Sequence, residues 1–124
     1  MNSPCSFSLL VLVFARSLED RLADWLLLWS ARHPEALQGQ MLLSAVDGLS
    51  AREPQSPLER VRGRHALLRL ELVLQGEAVG ALLQALSQAF AGADIEWRLS
   101  GLQQAGRLPV EALAPIIDST HTEG

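Results

Sequence analysis

The sequence contains no lysine: all ten of its basic residues are arginines. That removes every mechanism that needs an amine, including Schiff-base chemistry, a Walker-type phosphate loop and a lysine general base. It has one cysteine, Cys5, which excludes an internal disulfide and any multi-cysteine zinc site, and fits a reducing compartment. No histidine lies near Cys5 in sequence, so it reads as an ordinary N-terminal thiol. There is no long hydrophobic run either. Residues 7–15 are apolar, but nine residues are too few to span a bilayer as a helix. No basic segment precedes them as in a signal peptide, and Arg16, Glu19 and Asp20 follow at once. A cytoplasmic protein that is not membrane-embedded is expected. The net charge of −4 gives no general attraction to nucleic acid or anionic membranes.

What is present is a core. Forty-eight per cent of the 124 residues are hydrophobic, enough for one domain. The run Phe7-Ser8-Leu9-Leu10-Val11-Leu12-Val13-Phe14-Ala15 reads as a strand buried on both sides. Ser17 can cap a helix whose first turn holds Glu19 and Asp20, where the dipole favours acidic groups. Leu18, Leu22, Trp25, Leu26 and Trp29 follow at helical spacing, and Pro34 stops the helix near Arg32 and His33. Gln40 to Val46 is a second, weaker strand, broken by Asp47-Gly48. Gly48 to Gly63 carries Pro54, Pro57 and alternating charges, and reads as a long loop of the kind that is functional or mobile.

The third strand is the clearest. Ala66, Leu68, Leu70, Leu72 and Leu74 share one face, while Leu67, Arg69, Glu71 and Val73 share the other. After Gln75-Gly76-Glu77 a second helix buries Val79, Leu82, Leu83, Leu86 and Phe90, and Gly92 is placed to end it. Ile95, Trp97 and Leu99 alternate with Glu96 and Arg98 in a fourth strand, Trp97 being expected in the core, facing the helices. Val110 to Ile117 is expected as a short terminal helix interrupted by Pro115, with frayed residues beyond. Residues 7–108 thus form the domain, between an N-terminal extension, 1–6, and a C-terminal tail, 109–124.

This order predicts an α+β, ferredoxin-like split βαβ fold (βαββαβ), a four-stranded antiparallel sheet with two helices on one face. The other sheet face is then left open, yet the first strand is apolar there too, and Leu67 and Val73 add to it. An uncovered apolar face of that extent marks an interface, so the protein should be an oligomer. Arg69 and Glu71 would pair there, across or near that interface or simply as a solvated ion pair.

The pattern resembles an uncharacterised bacterial family of PII-like proteins, relatives of the nitrogen-regulatory PII signalling proteins. The matching pieces are the apolar first strand leading into Asp24-Trp25-Leu26-Leu27, the Ser44-to-Gly48 strand end, and Gly63-Arg64 opening the third strand. Ala89-Phe90-Ala91-Gly92 and Ile95-Glu96-Trp97 complete it. The resemblance covers residues 7 to about 108. It implies a homotrimer with three sheets facing inward, and makes residues 48–63 a regulatory T-loop that reaches a partner. Asp47, Gly48 and Gly63 would then frame that loop. Similarity to proteins encoded beside heavy-metal efflux systems suggests a membrane transporter as the partner. Without lysine, adenine-nucleotide binding in the PII manner is not implied.

Arg60, Arg62, Arg64 and His65 cluster where the loop returns. In an extended chain the three arginines project to one side, a fork array suited to a small anionic effector with a carboxylate or phosphate. The alternative is a solvated strand start with Glu59 and Glu71 as local partners. His33, His65, Asp47, Glu59 and Glu71 are scattered without metal-ligand spacing, so no metal and no cofactor is assigned. His33, at a helix end, can serve the carbonyls there. Paired catalytic carboxylates, a Ser-His or Cys-His arrangement and a cofactor fingerprint are all missing, so the protein is not expected to be an enzyme. A CutA-like divalent-metal-binding protein and an ACT-type small-molecule sensor remain as alternatives on the same topology.

Overall fold

The computed structural model describes residues 6–49 and 65–110. The long strand β1 (Phe7–Ala15) leads through a 3-10 turn (Arg16–Leu18) into helix α1 (Glu19–Arg32). Strands β2 (Leu37–Gly48) and β3 (His65–Gln75) follow, then helix α2 (Gly76–Ala89) and strand β4 (Glu96–Leu102). The sheet order is β2-β3-β1-β4 with every neighbouring pair antiparallel, the ferredoxin-like βαββαβ arrangement. Among the described residues no helix is long and apolar enough to cross a membrane.

The two central strands carry the two strongest apolar signals in the sequence. Leu10, Leu12 and Phe14 of β1 and Leu68, Leu70, Leu72 and Leu74 of β3 point to one side. There they meet Leu22, Leu26 and Trp29 of α1 and Val79, Leu82 and Leu86 of α2 in one core. Both helices therefore lie on the same face. Trp25 of α1 meets the edge of Phe90 at 6.0 Å, with Arg21 stacked over the same ring at 5.2 Å, joining α1 to the end of α2.

The elements depart from the sequence expectations in specific places. Ser17 does not cap α1. It lies in the 3-10 turn, and Leu18 takes the cap position without a side-chain bond, while Glu19 and Asp20 do occupy the first turn. Strand β2 starts three residues before the expected Gln40, because a bulge between Gln38 and Leu42 breaks the alternation. Gly39 sits there at φ +76°, a backbone region that favours glycine. Nor does Asp47-Gly48 break the strand: the ladder runs on through Asp47 opposite Ala66 and Gly48 opposite His65. Ala66 shares the helix-side parity but is exposed. Gly92, at φ +87°, follows the Phe90 cap of α2 and turns the chain toward β4. The expected terminal helix over Val110 to Ile117 lies outside the described residues beyond Val110.

Candidate functional site: the loop root and the open sheet face

Strands β2 and β3 bring Asp47, Gly48 and His65 to one end of their hairpin. The chain from Leu49 to residue 64 leaves the sheet at Gly48 and re-enters at His65, two residues directly opposite each other. Arg60, Arg62, Gly63 and Arg64 lie outside the described residues. Of the predicted constellation the structure therefore places Asp47, Gly48 and the His65 backbone together.

The helix-free face of the sheet is ordered into rows by the strand register. Val11 of β1 stands between Glu71 of β3 and Arg98 of β4, with Leu42 of β2 beyond Glu71. Val13 stands between Arg69 and Glu96, and Leu9 between Val73 and Ser100. The charges alternate in both directions. Arg69 and Glu71 pair along β3 at 3.1 Å, and Arg98 and Glu96 along β4 at 3.4 Å. The Arg69–Glu71 pair anticipated from sequence thus forms within one strand of this face.

No helix covers this face, yet Val11 is only 7% exposed, while Leu9 and Val13 are half-buried. The side chains of the flanking strands cover a β-branched residue from both sides, a shielding that long charged side chains provide through their apolar stems. Leu42 extends the apolar surface outward and is 58% exposed. The result is an apolar strip edged by charges of both signs, a pattern suited to a second protein surface. As partly exposed surface pairs within single strands, the two salt bridges contribute little to stability, each about 0–1 kcal/mol.

Two cavities flank the helices. One, of roughly 420 Å³, lies between α2 and β4, over Leu83, Leu86, Phe90, Ile95 and Trp97. The other, of roughly 390 Å³, lies at the opposite end around His33, Glu35, Gln75 and Glu77. His33 has the structural role expected at a helix end. Its Nδ1–H donates to the Trp29 carbonyl at 2.9 Å, and its ring stacks on the Trp29 indole at 4.2 Å. Among the described residues no three His, Cys, Asp or Glu side chains converge on a metal position.

Trp97 corrects the sequence reading most clearly. The alternation places it on the helix side, opposite Leu12, but it is 55% exposed rather than in the core. α2 packs chiefly on the central strands β1 and β3 rather than on the edge strand. The groove beside Trp97 was missed for that reason, since periodicity reports which face a residue occupies and not whether a helix reaches it.

The sequence matches, over residues 5–109, the family described as protein of unknown function DUF3240. No curated protein matches it. Among solved structures, the chain is similar to a DUF3240 family protein from Shewanella baltica OS155, with 22% identity and a TM-score of 0.63 over 82% of this chain and 96% of that one. It is also similar to CPII, a nitrogen regulatory PII-like protein from Thiomonas intermedia K12 bound to ADP, AMP and bicarbonate, at 16% identity and TM-score 0.57 over 85% and 97% of the two chains. A third is the GlnK–ATP complex of B. subtilis, at 10% identity and TM-score 0.56 over 82% and 85%. At these identities the three structures establish the PII-like, ferredoxin-like fold.

Proposed function

The chain belongs to the DUF3240 family of proteins of unknown function, and on that footing we propose that it is a PII-like regulatory protein rather than an enzyme. It assembles as a trimer through the open sheet face and works in the cytoplasm. The segment 48–63 is its signalling loop, and a small anionic effector binds the arginines at the loop's return, Arg60, Arg62 and Arg64, beside His65.

The observation that carries this reading is the pairing of Gly48 with His65. Both ends of a long, charge-rich segment are pinned side by side on a rigid hairpin, so an effector bound at one end can select the conformation of the whole segment. A switch requires that differential contact. The ligands of the PII-like neighbours, ADP, AMP and bicarbonate for CPII and ATP for GlnK, are all anions. An arginine array meets that shared chemistry without needing a lysine. The partner that the loop reports to is, in this reading, the cytoplasmic surface of a membrane transporter, in keeping with a role in heavy-metal efflux.

Calorimetric titration with ADP, AMP, ATP and bicarbonate tests the effector. Binding of at least one of them, lost in Arg64→Ala, is expected. Absence of heat with all four rejects an adenylate or bicarbonate effector.

A further inference from the structure

The groove between α2 and β4 differs in character from the loop root. Leu12 and Leu86, both buried, belong to its lining, and Phe90 and Trp97 add two aromatic rings. Trp97 stands opposite Leu12 and shares its side of the sheet, yet it is 55% exposed, because α2 packs chiefly on β1 and β3. The volume of roughly 420 Å³ falls within the range of small-molecule pockets, about 300–1,000 Å³.

We propose that this groove binds a small, uncharged aromatic molecule that carries an N–H or O–H donor. Three observations set that chemistry. The first is charge. None of the lining residues is ionisable, and only Gln84 and Ser87 among them carry polar side chains. An ion entering the groove would give up hydration with no counter-charge on the walls to replace it, which favours a neutral ligand.

The second is the direction of hydrogen bonding. The Ser87 Oγ–H donates to the Leu83 carbonyl, one helical turn back, at 2.8 Å. Its single proton is thereby used, while its oxygen keeps acceptor lone pairs. A ligand that meets Ser87 has to supply the donor.

The third is preorganisation. Trp25 of α1 holds the Phe90 ring edge-on at 6.0 Å, and the Arg21 guanidinium lies over the same ring at 5.2 Å. The ring is thus fixed from the α1 side before any ligand arrives, which lowers the ordering cost of binding. Ala91 and Gly92 add little bulk to the lining, and nothing stands within 4 Å of where a Cβ on Gly92 would be. A flat ring entering beside Trp97 covers exposed indole surface and gains stacked or edge-on aromatic contacts. This ligand is distinct from the anionic effector, and the inference does not rest on that reading.

The test uses the full chain labelled with 5-fluorotryptophan, whose three fluorine resonances report Trp25, Trp29 and Trp97 separately. Trp97 is assigned by its loss in Trp97→Phe. The probes are indole, N-methylindole, benzoate, benzylamine and AMP. Indole should shift the Trp97 resonance saturably, with a dissociation constant of about 1 mM or tighter. N-methylindole, which has no donor, should bind about fivefold more weakly, the worth of one hydrogen bond. Ser87→Ala should weaken indole by a similar factor and leave N-methylindole unchanged. Ala91→Phe, a larger side chain on an exposed lining residue, should weaken both at least about tenfold, with the Trp25 and Trp29 resonances in place. Absence of a saturable Trp97 shift with indole overturns the proposal, as does N-methylindole binding as tightly as indole, and both are read on the unsubstituted chain. A Trp97 shift produced equally by benzoate or benzylamine also overturns it. So does a shift produced by AMP and not by indole, which assigns the groove to a nucleotide.

Discussion

Gly48 and His65 face each other across β2 and β3, so the segment that joins them begins and ends at one point on the sheet. A connection pinned in this way can change shape without disturbing the core, because the ladder below it is fixed by Asp47 opposite Ala66 and Val46 opposite Leu67. Replacement of Arg60, Arg62 and Arg64 together by alanine should accordingly abolish anion binding and leave the circular dichroism spectrum unchanged. Loss of fold in that variant would show that the arginines support the sheet rather than an effector.

The open face makes a second prediction. Val11→Asp places a charge in the middle of the apolar strip, between Glu71 and Arg98. An unpaired charge at a buried position costs several kcal/mol. Val11 is 7% exposed within one chain, so that cost falls partly on the fold and partly on the interface, and the variant should dissociate to single chains at micromolar concentration and unfold at a lower temperature than the parent. The conservative Val11→Ile should assemble as the parent does, and sedimentation velocity separates the two outcomes.

The core sets the scale for stability. Leu82 is fully buried between α2 and the sheet. Leu82→Ala should cost about 2–5 kcal/mol in denaturant unfolding. Gln84, on the exposed side of the same helix, should tolerate alanine within about 0.5 kcal/mol. Equal effects at the two positions would contradict the packing of α2.

Gly92 turns the chain at φ +87°, with nothing within 4 Å of where a Cβ would stand. The cost of Gly92→Ala is therefore conformational rather than steric, about 1–2 kcal/mol. Gly39→Ala, at φ +76° and with equally open surroundings, should cost a similar amount. Thermal unfolding of the two variants checks both values, and an unchanged midpoint would contradict them.

Much of this fold could be read from residue order alone. The run Phe7 to Ala15 and the alternation from Leu67 to Leu74 identify the two central strands because burial on one or both faces leaves a local pattern. β2 was only half visible. The bulge at Gly39 interrupts its period, and the pairing that carries it through Asp47 and Gly48 comes from residues 65 and 66, far along the chain. Turn-forming residues there were overruled by a non-local ladder. Trp97 failed for a different reason. Its face was right, but its exposure depends on where α2 ends over the sheet, which no local pattern encodes. The candidate site divides in the same way. Asp47, Gly48 and His65 could be brought together by topology, and the open-face rows follow from register. The Arg60, Arg62 and Arg64 array rests on sequence spacing alone.

The oligomeric state is the claim on which the open face and the PII-like reading both rest. Multi-angle light scattering of the full chain at micromolar concentration measures it directly. A mass three times the 13.5 kDa of one chain, falling to one chain's mass in Val11→Asp, is the predicted result. A single chain's mass at that concentration, with the helix-free face of the sheet left uncovered, would contradict the account.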